Sequence, residues 1–126
     1  MMQKMHNFIN NSIASNRTID LNTIIDEFIF GAKQQLGKHI QQIILYGSYA
    51  RGEEKENSDI DILLLVDLTN IEIKEIQNDI YDLAYELELS TSKEISPIII
   101  NIAEFQYWKD TSPFYRNIEQ EGVIIA

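Results

Sequence analysis

The chain has 126 residues, 44% hydrophobic and 24% charged, with 20 acidic against 10 basic side chains and a formal net charge of −10. That length fits one domain with one modest core, and the acidity repels extended phosphate backbones, so direct nucleic-acid binding is not expected; a basic protein partner or a metal-masked small phosphate such as a nucleoside triphosphate is. No run approaches the roughly 20 apolar residues of a membrane span, the polar amino terminus lacks the apolar segment of a signal peptide, and cysteine is absent, which excludes disulfides and thiolate metal sites and makes a cytoplasmic protein the expectation.

Residues 1–17 scatter Met1, Met2, Met5, Phe8, Ile9 and Ile13 among Asn, Ser and Gln without a clean period, which predicts a loosely helical or flexible arm ahead of a single domain over 18–126. From Thr18 the pattern sharpens. Leu21, Ile24, Ile25, Phe28, Ala32 and Leu36 recur at helical spacing, Asp20 is placed to cap, Gly37 is placed to end the helix, and Gly31 inside it marks close packing. His39 and His6 have no second histidine or cysteine at ligand spacing and are read as structural or solvated.

A strand follows over Ile40 to Tyr46 and ends in Gly47-Ser48. Ten residues later Asp59-Ile60-Asp61 opens a second apolar run, Ile62 to Val66, suited to a buried strand. Residues i and i+2 of a strand share a face about 6.6 Å apart along its axis, so both carboxylates can address one pocket while Ile60 and Ile62 enter the core. Asp59 and Asp61 supply the hard oxygen ligands that Mg²⁺ uses together with substrate phosphates. Gly47 lets the backbone approach a phosphate, and the Ser48 hydroxyl and neighbouring amides can bind its oxygens. Between them, Tyr49 to Ser58 reads as a solvated hairpin-like turn carrying Glu53, Glu54 and Glu56; Arg51, close behind the cradle, either contacts a phosphate or holds the turn by pairing with a carboxylate.

Beyond the second strand, Asp67 to Asn70 breaks the pattern, and Ile73, Ile76, Ile80, Leu83, Ala84 and Leu87 predict a second long amphipathic helix with Tyr81 and Tyr85 on a packed or half-exposed face. Ile95 to Ile102 is a third strand, which Pro97 confines to a sheet edge or to the strand's first residues. A helical turn over Ala103 to Lys109, a Ser112-Pro113 helix start and an apolar tail after Gly122 complete the chain. Phe105, Tyr107, Trp108 and Tyr115 form an aromatic cluster large enough to leave anchors for a partner.

Gly47-Ser48, the ten residues from Tyr49 to Ser58, and Asp59-Ile60-Asp61 together resemble the signature of the polymerase-beta-like nucleotidyltransferase superfamily. Within it, Gly-Ser-Tyr-Ala-Arg-Gly on a short chain looks like the minimal nucleotidyltransferases that serve as antitoxins in HEPN/MNT toxin–antitoxin pairs. The signature covers about a sixth of the chain, and the order of flanking elements extends the resemblance to nearly all of it. The superfamily usually carries a third metal carboxylate on the third strand. Here that neighbourhood reads Lys93 to Ile99 without an aspartate, and Glu94 is the carboxylate in reach.

The order helix, strand, strand, helix, strand, short helices argues an α/β or α+β domain, a small mixed sheet with helices mainly on one face, which is also the superfamily's architecture. The resemblance implies Asp59 and Asp61 as catalytic metal ligands, Gly47, Ser48 and Arg51 as nucleotide-binding, Mg²⁺ as cofactor and ATP as substrate. It implies transfer of AMP to a tyrosine hydroxyl of a cognate HEPN ribonuclease toxin, which silences it. Two alternatives stand beside this: an antitoxin that occludes its toxin by contact, favoured by the missing aspartate, and nucleotidyl transfer to a small molecule, for which 126 residues leave little acceptor domain.

Overall fold

A computed structural model describes residues 3–4 and 20–126. Its elements in chain order are β1 (Gln3–Lys4), α1 (Leu21–Leu36), a 3-10 turn (Gly37–His39), β2 (Ile40–Tyr46), α2 (Gly47–Arg51), β3 (Ile60–Val66), α3 (Asn70–Thr91), β4 (Ile95–Asn101), α4 (Ile102–Trp108), α5 (Pro113–Glu121) and β5 (Val123–Ile124). Apart from the two-residue strand Gln3–Lys4, the expected amino-terminal arm, with His6 and Thr18, lies outside the described residues.

The long helices begin where side chains can satisfy their first amides. Asp20 accepts from the Asn22 amide at 3.0 Å, and Thr69 and Glu72 form a reciprocal capping box at the start of α3. Gly37 closes α1 at φ 54°, a left-handed value that suits glycine. The apolar stripe of α1 is buried as its spacing requires, and Phe28 is fully enclosed. Burying one such side chain contributes about 1.5–3 kcal/mol.

The strands form one mixed sheet in the order β1-β5-β2-β3-β4. The β2–β3 pair is antiparallel, setting Tyr46 opposite Asp61, and β3–β4 is parallel, setting Asp61 opposite Ser96. Pro97 lies in β4, the edge strand, where its missing amide removes no ladder bond that an outer neighbour needs. His39 bridges the start of β2 to the end of β3 through Nδ1 and Asp67 Oδ1 at 2.8 Å, which makes it structural.

Strand alternation sorts the core into two layers. Ile43, Leu45, Ile60, Ile62, Leu64 and Val66 face α1 and α3 in the main cluster; Ile44, Leu63, Leu65 and Ile100 face α4 and α5 with Phe105 and Ile118. The two long helices thus pack on one face, and short helices cover the other. Gly31 lets α1 approach α3: a β-carbon there would stand 2.7 Å from both Leu83 methyl carbons.

One expected feature differs. The turn after Gly47 begins as a helix rather than as a solvated connection, since Gly47–Arg51 form α2 and its Tyr49 is buried in the main core. Gly52, at φ 70°, ends it, and the loop behind is closed by the Ser58 amide to the Lys55 carbonyl and the Lys55 amide to Ser58 Oγ.

Candidate functional site

Odd-numbered positions of β3 face α5, so Asp59, directly ahead of the strand, and Asp61, its second residue, emerge on the face of Leu63 and Leu65. The same alternation carries Glu94 and Ser96 of the parallel neighbour to that face, alongside Ile98. Ser96 Oγ donates to Asp59 Oδ2 at 3.3 Å. The Ile60 amide donates to the Glu94 carbonyl at 2.8 Å, which holds the two strand entrances together.

The carboxylates perturb one another. Asp61 has its pKa raised, first by burial and then by the charge of Asp59, with Arg51 opposing. Glu94 is raised as well, chiefly by Asp59. Negative charge therefore exceeds what the nearby protein cations neutralise. Hard carboxylate oxygens crowded in this way suit Mg²⁺ on the chemistry of the donor set, with Asp59 and Asp61 as the residues that would hold it. Among the described residues no three acidic, histidine or cysteine side chains converge closely enough to enclose a metal. Glu94 stands by Asp59 rather than by both aspartates, and the residue paired with Asp61 on β4 is a serine.

Gly47 sits immediately beside this pair. Its φ is 76°, and a β-carbon there would collide with Asp61 Oδ2, so glycine is required both by conformation and by space. Ser48 follows in the first turn of α2, half-buried. Arg51 is engaged with carboxylates: Nε donates to Glu53 Oε1 at 2.8 Å, and a terminal nitrogen reaches Glu121 Oε2 at 3.5 Å. Carboxylate pairing, one of its two expected modes, is thus present.

Next to Gly47 a cleft of about 210 Å³ opens between α2 and α5, with Tyr46, Gly47 and Arg51 on one wall and Phe114, Asn117, Ile118 and Glu121 on the other. Tyr46 meets Phe114 edge to face, ring centroids 5.9 Å apart. Burial, reinforced by Asp61, pushes the Tyr46 hydroxyl up to about 12, which keeps it protonated at neutral pH. The sequence reading did not single out Tyr46 or the α5 residues for the site. Tyr46 carried a usable signal, since period-two alternation back from the Gly-Ser turn sets it apart from the buried Leu45; the α5 residues carried none, because only the fold brings them over β2.

Comparison with known proteins bears on the same stretch. A protein-family model described as "Nucleotidyltransferase domain" matches residues 25–125. Two proteins of Methanocaldococcus jannaschii are similar in sequence. "Putative protein adenylyltransferase MJ0604" is 35% identical over 101 residues, 80% of this chain and 93% of that protein. "Putative protein adenylyltransferase MJ1305" is 38% identical over 82 residues, 64% of this chain and 54% of that protein, so the match spans about half its length. Among solved structures, a chain from a mutant of the toxin-antitoxin MntA-HpeT superposes with a TM-score of 0.52 at 21% identity, covering 86% of this chain and 73% of that one; the likeness is one of fold. Among the described residues no helix is long and apolar enough to cross a membrane.

Proposed function

The chain belongs to the nucleotidyltransferase domain family, and from that membership we propose that it transfers AMP from ATP to a tyrosine hydroxyl of a cognate HEPN ribonuclease toxin, silencing it as an antitoxin in the cytoplasm. The observation that carries the reading is the shared face of Asp59 and Asp61 beside a glycine that cannot be anything larger. Gly47 and Ser48 would receive the β- and γ-phosphates, and Arg51 would exchange a carboxylate partner for a phosphate. Mg²⁺ held by Asp59 and Asp61 would offset the charge on the reacting phosphates.

In the step itself the tyrosine oxygen bonds to the α-phosphorus, the bond from that phosphorus to the bridging oxygen breaks, and pyrophosphate leaves. The tyrosine proton passes to a carboxylate. Glu94, exposed at the entrance of the strand beside Asp59, is the carboxylate placed to accept it.

Incubating the chain with ATP, Mg²⁺ and the toxin encoded beside it, then weighing the toxin by intact mass spectrometry, tests the reading. A gain of about 329 Da per event is one AMP group. A second reading, inhibition by contact alone, is favoured by Ser96 standing opposite Asp61 where a third carboxylate would complete the site. It predicts no mass gain and full silencing by the Asp59→Asn, Asp61→Asn double variant.

A further inference from the structure

We propose that the cleft between α2 and α5 is the nucleoside subsite, taking an adenine base with Phe114 as its stacking platform and Asn117 as the side chain that reads it. The proposal rests on the nucleotide-transfer reading and extends it to residues outside the Gly-Ser and Asp-x-Asp signature.

Size comes first. At about 210 Å³ the cleft falls below the roughly 300 Å³ at which drug-sized ligand sites begin, room for a base but not for a whole nucleotide. Its place comes second. Gly47, which abuts Asp61, forms part of its wall, so a molecule with phosphates at the carboxylate pair can extend into it.

Charge decides which end of the nucleotide enters. Arg51 is the cation in the cleft wall and is already paired with Glu53 and Glu121, while Glu121 itself lines the cleft. When Arg51 turns towards the phosphates at the carboxylate pair, Glu121 leaves this wall acidic, which disfavours a further phosphate and suits a neutral group. Glu121 also offers the carboxylate acceptor that ribose hydroxyls commonly use.

The lining fits a purine. Phe114 is 44% exposed although Tyr46 meets it edge to face, which leaves apolar ring surface towards the cleft for stacking. The Asn117 side chain makes no hydrogen bond or ion pair among the described residues. Its carboxamide presents an acceptor and a donor side by side, matching the amino group and ring nitrogen of adenine; guanine presents two acceptors along the corresponding edge and loses one bond.

Calorimetry on the full chain with Mg²⁺ and ATP, GTP or inorganic tripolyphosphate tests this. The wild-type chain is expected to bind ATP about ten-fold more tightly than tripolyphosphate. Phe114→Ala should remove that advantage and leave tripolyphosphate affinity unchanged. Asn117→Ala should shrink a preference for ATP over GTP of about ten-fold towards one. Both side chains are exposed, and circular dichroism verifies that the variants fold. ATP affinity unchanged in both variants, or tripolyphosphate bound by the wild type as tightly as ATP, overturns the subsite while sparing the transfer reading. Binding of neither ligand overturns both.

Discussion

Gly47 lies so close to Asp61 that a side chain at position 47 and the present Asp61 carboxylate cannot coexist: a β-carbon there would clash with Asp61 Oδ2, and the backbone at φ 76° already favours glycine. Gly47→Ala therefore meets both a strained conformation, costing about 1–3 kcal/mol, and a displaced carboxylate. The expected outcome is a folded chain with a lower melting temperature and no measurable Mg²⁺-dependent ATP binding. Retention of ATP affinity would show that Asp61 is not needed where it stands.

Asp61 itself carries a cost to the ligand-free protein. Its pKa lies above its ordinary value of 3.8 through burial and the charge of Asp59, so the folded chain holds that proton more tightly than the unfolded one. The penalty is complete above the raised pKa and disappears as pH falls through it towards 3.8. Asp61→Asn should accordingly raise the melting temperature at neutral pH without ligand and abolish Mg²⁺–ATP binding. Thermal melts across pH, with calorimetry, check both; a lower melting temperature at neutral pH would count against the crowded-carboxylate explanation.

These effects also show what could be seen in the sequence. The stripe from Leu21 to Leu36, the strand from Ile40 to Tyr46 and the edge position of Pro97 are local patterns, and the structure has all three. Asp59 and Asp61 were legible because one strand's alternation puts them on one face. Glu94 was named through the family resemblance, but its alignment with Asp59 and that of Ser96 with Asp61 depend on the parallel register of β4 on β3, which no residue spacing states. The helix α2 escaped because five residues hold little more than one turn, too few for a period to appear.

At the other end of the main core, Gly31 faces the terminal methyls of the half-buried Leu83, which must shift to admit a β-carbon. Alanine at 31 gains about 1 kcal/mol of helix propensity, while overpacking costs about 1–3 kcal/mol. Gly31→Ala should thus be near neutral alone, as the Leu83 methyls shift, and stabilising by about 1 kcal/mol when added to Leu83→Ala. Urea unfolding of the four chains in this cycle gives the sign; additivity would mean the two residues do not press on each other.

The aromatic cluster divides into core and surface. Phe105 is fully buried, with half-buried Tyr115 packed on it at a centroid distance of 5.3 Å, so Phe105 is not free to anchor a partner as the sequence suggested. Tyr107 and Trp108 are 76% and 47% exposed and meet edge to face. Tyr107→Ala and Trp108→Ala should each weaken binding to the proposed toxin partner by about 2 kcal/mol, roughly 30-fold, with the fold intact. Phe105→Ala should instead cost about 3–5 kcal/mol of stability. Calorimetric titration and urea melts separate the two effects, and unaltered partner affinity in both surface variants would place the interface elsewhere.

The sharpest division between enzyme and scaffold falls on Glu94. It is exposed and shares the face of Asp59 and Asp61, which places its carboxylate within reach of an acceptor hydroxyl arriving at that pair. A tyrosine acceptor ionises near 10, so its oxygen requires a base or a metal to become an efficient nucleophile at neutral pH. Were Glu94 a metal ligand, Glu94→Gln would weaken Mg²⁺–ATP binding; were it only a surface charge, the change would alter nothing. As a base it affects neither binding nor fold, and Glu94→Gln is expected to slow AMP transfer by about a hundred-fold with ATP affinity held within about two-fold. The residual rate should recover as pH rises towards the tyrosine pKa, where the acceptor loses its proton without help. A pH–rate profile of the variant beside the parent chain reads this out, and parallel profiles would remove Glu94 from proton transfer.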